Sequence, residues 1–261
     1  MSGFSAVDRS ADPGRLVHLL DLAAAAESGI KHYMAAAHAL RQPDRPILDI
    51  GCGAGHDLTV LGHFGLATIG IDPSAVMLST ARERATGSGS PLVRGSGEAL
   101  PFGDRVFGGC RMERVLMHVV QPSGVLAEAV RCLRPAGLIT VFEPDWSRFR
   151  VTSDVLPHHA GWISSASHPD VGHRLWRLLE NAGCDVLDRI EELSVWRSLR
   201  TLERVTGFPA AVENAVAAGR VDGTKAEEWI QEQIEREASG SFHAALPKVL
   251  MVAAKRGDMN I

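Results

Sequence analysis

The run Pro46-Ile47-Leu48-Asp49-Ile50-Gly51-Cys52-Gly53-Ala54-Gly55-His56-Asp57-Leu58 sets three glycines at alternate positions between an apolar stretch and a helix-like segment. Glycine has no Cβ, so a chain carrying Gly51, Gly53 and Gly55 can turn sharply and lie against a ligand. A helix opening near Gly55 points unpaired N–H groups into the same space, which suits a carboxylate or a phosphate. A second apolar run, Leu66 to Ile71, ends on Asp72, seventeen residues after Gly55. An acid at about that distance grips a ribose diol. Residues of these types at these spacings bind a nucleoside. The dinucleotide fingerprint G-x-G-x-x-G is broken, because His56 stands at its last position. No NAD or NADP is therefore expected in this cleft.

Three further segments follow. Pro91 to Phe102 ends Gly97-Glu98-Ala99-Leu100-Pro101-Phe102, and Phe107 to Val119 ends Arg114-Val115-Leu116-Met117-His118-Val119. Glu128-Ala129-Val130-Arg131-Cys132-Leu133-Arg134-Pro135-Ala136-Gly137 closes on a proline–glycine turn. Together with the G-x-G-x-G turn, in this order over residues 46–146, they resemble the class I S-adenosylmethionine-dependent methyltransferases of the ubiquinone/menaquinone-biosynthesis (methyltransferase type 11) kind. The four segments are similar to that family's motif I, its adenine segment, its fourth strand with the following loop, and its helix before strand five. An NAD-binding or inert Rossmann-like domain is the alternative.

The resemblance implies S-adenosyl-L-methionine as cofactor, with Gly51, Gly53 and Gly55 around the methionyl end. Asp72 would take the ribose hydroxyls, and Pro73 and Met77 would wall the adenine. Asp49, on strand one, would receive the cofactor ammonium directly or through water, or would hydrogen-bond the glycine turn; both readings stand. Ser96, Gly97, Glu98 and Ala99 would contact the adenine, and Arg114 and Met117 would pack against or tether the cofactor loop. The chain departs from the family in three places. Ser96-Gly97 stands where aspartate-alanine is usual, Gly108 where strand four carries aspartate, and Ala136 where the turn carries glycine.

Methyl transfer from a sulfonium is an in-line displacement, so the protein mainly holds two reactants in register and keeps water out. Candidates for acceptor chemistry are His118, on the loop after strand four, and Glu143 and Asp145, where strand five ends. His118 can be a general base or a wall of the cofactor site; Glu143 and Asp145 can orient an acceptor or cap the next helix. His158, His159, His168 and His173 match no zinc spacing, and no metal is expected; they read as solvated loop residues. All five tryptophans follow residue 145, and Trp146 and Trp162 are candidates for an apolar acceptor pocket, with Trp176 and Trp229 read as core.

The elements that must position these residues alternate. Strands are expected near 46–50, 66–71, 91–94, 107–112 and 137–143, with helices near 55–63, 74–85 and 121–133. This predicts an α/β, Rossmann-like doubly wound sheet. The resemblance implies strand order 3-2-1-4-5-7-6 with strand 7 antiparallel. A helix over Val171 to Ala182, a strand near 185–195 and a final strand Pro247 to Lys255 complete it. The chain reads as one methyltransferase-like domain, 1–261. Residues 1–45 form a helical lid or wall with periodicity over 13–40, and 46–143 the cofactor-binding half. Residues 144–170 and 196–246 are acceptor-cap insertions, the latter with a helix over Leu202 to Ala218 and a Thr224/Glu227 capping box.

Composition bounds the partners. With 45% apolar and 22% charged residues the chain is an ordinary globular protein. A net charge of −4 with scattered basic residues argues against nucleic acid. No apolar run is long enough to span a bilayer, no secretory leader is legible at the start, and Cys52, Cys110, Cys132 and Cys184 read as free thiols. The expectation is a cytoplasmic monomer or homodimer acting on a small, largely apolar acceptor, at oxygen, nitrogen or carbon. A catalytically silent nucleoside binder is the alternative.

Overall fold

In the computed structural model, the described residues are 7–41, 43–84, 89–156, 161–164, 166–206 and 208–257. Strands β1 (Ile47–Ile50) and β4 (Phe107–Glu113) are buried along their whole length, as parallel strands covered on both faces must be. They pair at the middle of a sheet ordered β3-β2-β1-β4-β5-β8, with β2 (Thr68–Asp72), β3 (Leu92–Arg94), β5 (Leu133–Pro144) and β8 (Ala244–Lys255). All pairs are parallel except β5 with β8. The long β7 (Cys184–Trp196) lies antiparallel along the other edge of β8. A two-residue β6 (Arg150–Val151) pairs with the start of β8, on the edge that β5 occupies further along. The expected order is therefore present, with β8 as its seventh strand and β7 as its sixth, because β6 adds a number.

Helices α3 (His56–His63), α4 (Ala75–Arg84) and α5 (Pro122–Cys132) make the crossovers, and α6 (Val171–Asn181) precedes β7. Pro122 opens α5, where its missing N–H costs nothing. α4 starts at Ala75, two residues beyond Pro73. The Ser74 hydroxyl accepts from Met77 N at 3.1 Å, and Asp8 accepts from Ala75 N at 3.0 Å. Ala136, where a glycine was expected, takes φ +58° in the turn that starts the central part of β5.

The helical leader is two helices, α1 (Pro13–Ala26) and α2 (Ser28–Leu40). Glu27 breaks them at φ −109°, and its carboxylate pairs with Lys248 of β8 and, at 3.5 Å, with Arg114. The stretch expected to be helical over 202–218 carries helix at Leu199–Thr206 (α7) and Phe208–Ala217 (α8). α9 (Gly223–Ala238) is capped by Asp222, which accepts from Lys225 N at 3.0 Å, so Thr224 is not its cap. These helices enclose a second core of Phe149, Ile163, Leu202, Val212, Trp229 and Phe242, apart from the core under the sheet. The four cysteines are free and buried.

Candidate active site

A cavity of about 800 Å³ opens at the carboxyl ends of the strands, where ligands bind in open α/β sheets. Its floor is the turn after β1. Gly51 has φ +70°, and a Cβ there would stand 2.5 Å from a Val115 methyl. Gly55 has φ +81°, and its Cβ would meet that of Ala81 at 2.9 Å. Only glycine passes both positions. Gly51 and Gly53 line the cavity; Gly55 lies behind it, against α4.

Asp72, closing β2, is tied to this turn. One carboxylate oxygen accepts from Gly53 N at 3.0 Å and the other from Ser74 N at 2.8 Å. Burial pushes its pKa up, and those two N–H groups oppose the shift. Pro73 and the buried Met77 stand beside it on the wall, as do Ser96, Gly97 and Glu98; Ala99 does not. Ser96 Oγ accepts from Glu98 N at 3.2 Å, and Glu98 accepts from Val120 N and Gln121 N, each at 2.9 Å. The adenine-like segment is thus stitched to the loop that carries His118.

Asp49 lies outside the cavity lining. It is fully buried and pairs with Arg111 of β4 at 3.1 Å, rather than with the glycine turn. Burial pushes its carboxyl up to about 7 against the pull of Arg111. Arg111 continues a buried charge cluster that sequence reasoning missed. Lys31 of α2, 4% exposed, reaches Asp57 at 2.9 Å and Glu113 at 2.6 Å, and Arg111 contacts both acids. Arg114, at φ +55°, meets Glu113 at 2.9 Å. Burial acts to raise the Glu113 pKa, but the charges of Lys31, Arg114 and Arg111 hold it well below the carboxylate range. Lys31, Asp57, Glu113 and Arg114 all line the cavity. The legible signal was the pair Arg111 and Glu113 at alternate positions of an otherwise apolar strand, since a charge there needs a partner.

α1 forms the outer wall with Leu19, Leu20, Ala23 and Ala24, and Asp21 fastens it to His56 at 2.6 Å and to Arg84 at 2.9 Å. Opposite stand Met117, His118, Trp146, Phe149, Ile163 and Ala211. Burial, with the Arg114 charge, pushes the His118 imidazole down to about 4, so it is neutral. Glu143 and Asp145 are fully buried and off the lining. Glu143 accepts from Val115 N at 2.8 Å and Leu116 N at 2.6 Å, and burial pushes its pKa up to about 8 against those N–H groups. Asp145 accepts from the Ser147 hydroxyl. Glu143 thus holds the backbone of the loop after β4 and Asp145 holds the Ser147 side chain, which the strand-end position alone did not reveal. Trp146 lines the cavity, whereas Trp162 packs edge-to-face on Trp229 inside the cap core, 5.2 Å between centroids. His158 and His159 lie outside the described residues. Among the described residues no cluster of metal-ligating side chains forms. His168 sits in a loop, half-buried, and lines the cavity.

Residues 48–141 match the family described as "Methyltransferase domain". Residues 48–141 carry a methyltransferase domain, set in a Rossmann-like sheet. A Streptomyces fradiae protein, named as an uncharacterized 37.1 kDa protein in transposon TN4556, is 32% identical over 81% of this chain and 63% of its own length. An uncharacterized methyltransferase of Mycobacterium tuberculosis is 32% identical over 60% of this chain and 61% of its own. The chain spans about three fifths of the length of these relatives. The YcgJ protein of Bacillus subtilis superposes with a TM-score of 0.58 at 16% identity, covering 86% of this chain and 99% of that one. The cyclase SpnF gives 0.54 at 21% identity, covering 87% and 82%. At those identities the likeness is one of fold. No described helix is long and apolar enough to cross a membrane.

Proposed function

We propose that this protein transfers a methyl group from S-adenosylmethionine to oxygen, nitrogen or carbon of a small, largely apolar molecule. One observation carries the reading: a single cavity joins the glycine turn, Asp72 and the 96–98 segment to an apolar wall of Trp146, Phe149, Ile163 and Ala211. The residues present fit the cofactor. Gly51, where a Cβ would strike Val115, keeps the floor bare, and Asp72 lines the cavity beside it with a carboxylate suited to a ribose diol. When bound, the cofactor supplies an electrophilic methyl carbon on sulfur.

The chain's own residues then bind, orient and exclude water. Each Asp72 oxygen, already accepting one backbone N–H, has a further lone pair for a ribose hydroxyl. Lys31, Asp57, Glu113 and Arg114 offer both signs of charge to an amino-acid end held near the glycine turn. Residues 144–170 and 196–246 act as the acceptor cap, since their own apolar core holds Phe149 and Ile163 in place. A closed apolar compartment keeps water from the reacting centre and holds the acceptor in line.

The test is a methylation assay with labelled cofactor against apolar metabolites, RNA and a protein lysate. Label is expected in small molecules; label only in RNA or protein would reject the acceptor class. Cofactor binding with no product by mass spectrometry would instead favour a catalytically silent binder.

A further inference from the structure

We propose that His168 accepts the proton released by the acceptor molecule's nucleophile, acting through Nδ1; this rests on the methyl-transfer reading above. His168 lies half-buried on the cavity wall, and its main-chain N–H donates to Met117 O at 3.1 Å. Its Nε2 lies 3.1 Å from the carbonyl oxygen of Val120. A carbonyl can only accept, so Nε2 carries a hydrogen, and in the neutral form of the ring the lone pair is on Nδ1. Among the described residues nothing engages Nδ1.

The other titratable groups on the wall are less suited. Asp72 and Glu98 each accept two backbone N–H groups, Asp57 and Glu113 are paired to Lys31 and Arg111, and the His56 ring is held between Asp21 and Arg84. His118 is neutral but weakly basic, with its pKa pushed down to about 4. A general base must lie within hydrogen-bonding reach of the proton it takes. His168 adjoins the His118 loop and sits at the open rim, next to Val120, which is 86% exposed, and exposed Ser167.

For an acceptor hydroxyl, the O–H bond breaks with its proton passing to Nδ1. The oxygen electron pair forms the new O–C bond while the carbon–sulfur bond of the sulfonium breaks with its pair on sulfur. The imidazolium then returns the proton to water at the rim. Charge and atoms balance with no further reactant.

Two probes separate a base from a structural role: 2-naphthol, which must lose a proton, and 2-naphthalenethiol, which ionises far more readily. His168→Gln is expected to slow methylation of the naphthol about 100-fold or more, the usual worth of a positioned base. Methylation of the thiol is expected to stay within about twofold, because no base is needed there. An equal loss on both probes, or no loss on either, overturns the proposal. Nitrogen-15 NMR of the wild-type protein with S-adenosylhomocysteine is a readout independent of turnover. It should show the Nε2–H tautomer of His168 and a shift of Nδ1 on adding 2-naphthol. The Nδ1–H tautomer, or no shift, overturns the role. Absence of label in both probes with the shift present would count against the acceptor class and not against His168.

Discussion

Lys31→Met removes the ammonium that holds the leader to the site. Its Nζ lies 2.9 Å from Asp57 and 2.6 Å from Glu113, and Lys31 is only 4% exposed. Methionine keeps most of the side-chain volume, so the loss is chiefly electrostatic. Stripping one partner from a buried ion pair costs about 3–5 kcal/mol, because the remaining charges stay buried. At about 2–4 °C per kcal/mol for a chain of this size, the melting temperature should fall by roughly 6–20 °C. The pH dependence gives a second check. The Glu113 pKa is lowered in the folded state, so its contribution is present above its ordinary value of 4.5 and is lost as pH falls below it. The variant lacks most of that contribution, so the gap between the proteins should narrow as pH falls through about 4.5. Urea unfolding at neutral and acid pH, with thermal melts, measures both. A gap under about 1 kcal/mol at neutral pH, the range of surface pairs, would refute the reasoning.

Glu143→Gln keeps an acceptor for the Val115 and Leu116 N–H groups but cannot ionise. Because burial raises this acid's pKa to about 8, wild-type stability should fall as pH rises from 4.5 towards 8, and the variant should gain on it over that window. Its turnover should match wild type; lost turnover with cofactor binding intact would put Glu143 in the chemistry. Gly55→Ala, forced to φ +81° with its Cβ against Ala81, should lose about 1–3 kcal/mol in urea unfolding, and an unchanged midpoint would contradict the described turn. Ala211→Phe should abolish methylation of apolar acceptors while calorimetry with S-adenosylhomocysteine stays unchanged, and retained turnover would move the acceptor elsewhere.

The sheet was legible because β1, β2 and β4 are short apolar runs broken by glycine, and because Gly51 and Gly55 need positions no other residue fills. The break at Glu27 was not legible. Glu27 is an ordinary helix former locally, and its partners Lys248 and Arg114 are distant in sequence. Asp72 was placed on the cavity by spacing alone. Asp49 was not, since strand position says nothing of Arg111 on the neighbouring strand. Glu143 and Asp145 stood at the correct sheet end, yet side-chain direction, set by the loop N–H groups and Ser147, turned them from the cavity. Trp162 was drawn inward by Trp229, a contact within the cap that periodicity does not show.

Titration calorimetry with S-adenosylmethionine, on the wild-type protein and Asp72→Ala, tests the central claim most directly. The account predicts saturable one-site binding, weakened about tenfold to a hundredfold or more in the variant, because a charge-assisted hydrogen bond is worth roughly 1.5–3 kcal/mol. NADH should give no heat, since His56 breaks the pyrophosphate fingerprint. Equal affinity in both proteins, or binding of NADH in place of S-adenosylmethionine, would contradict it.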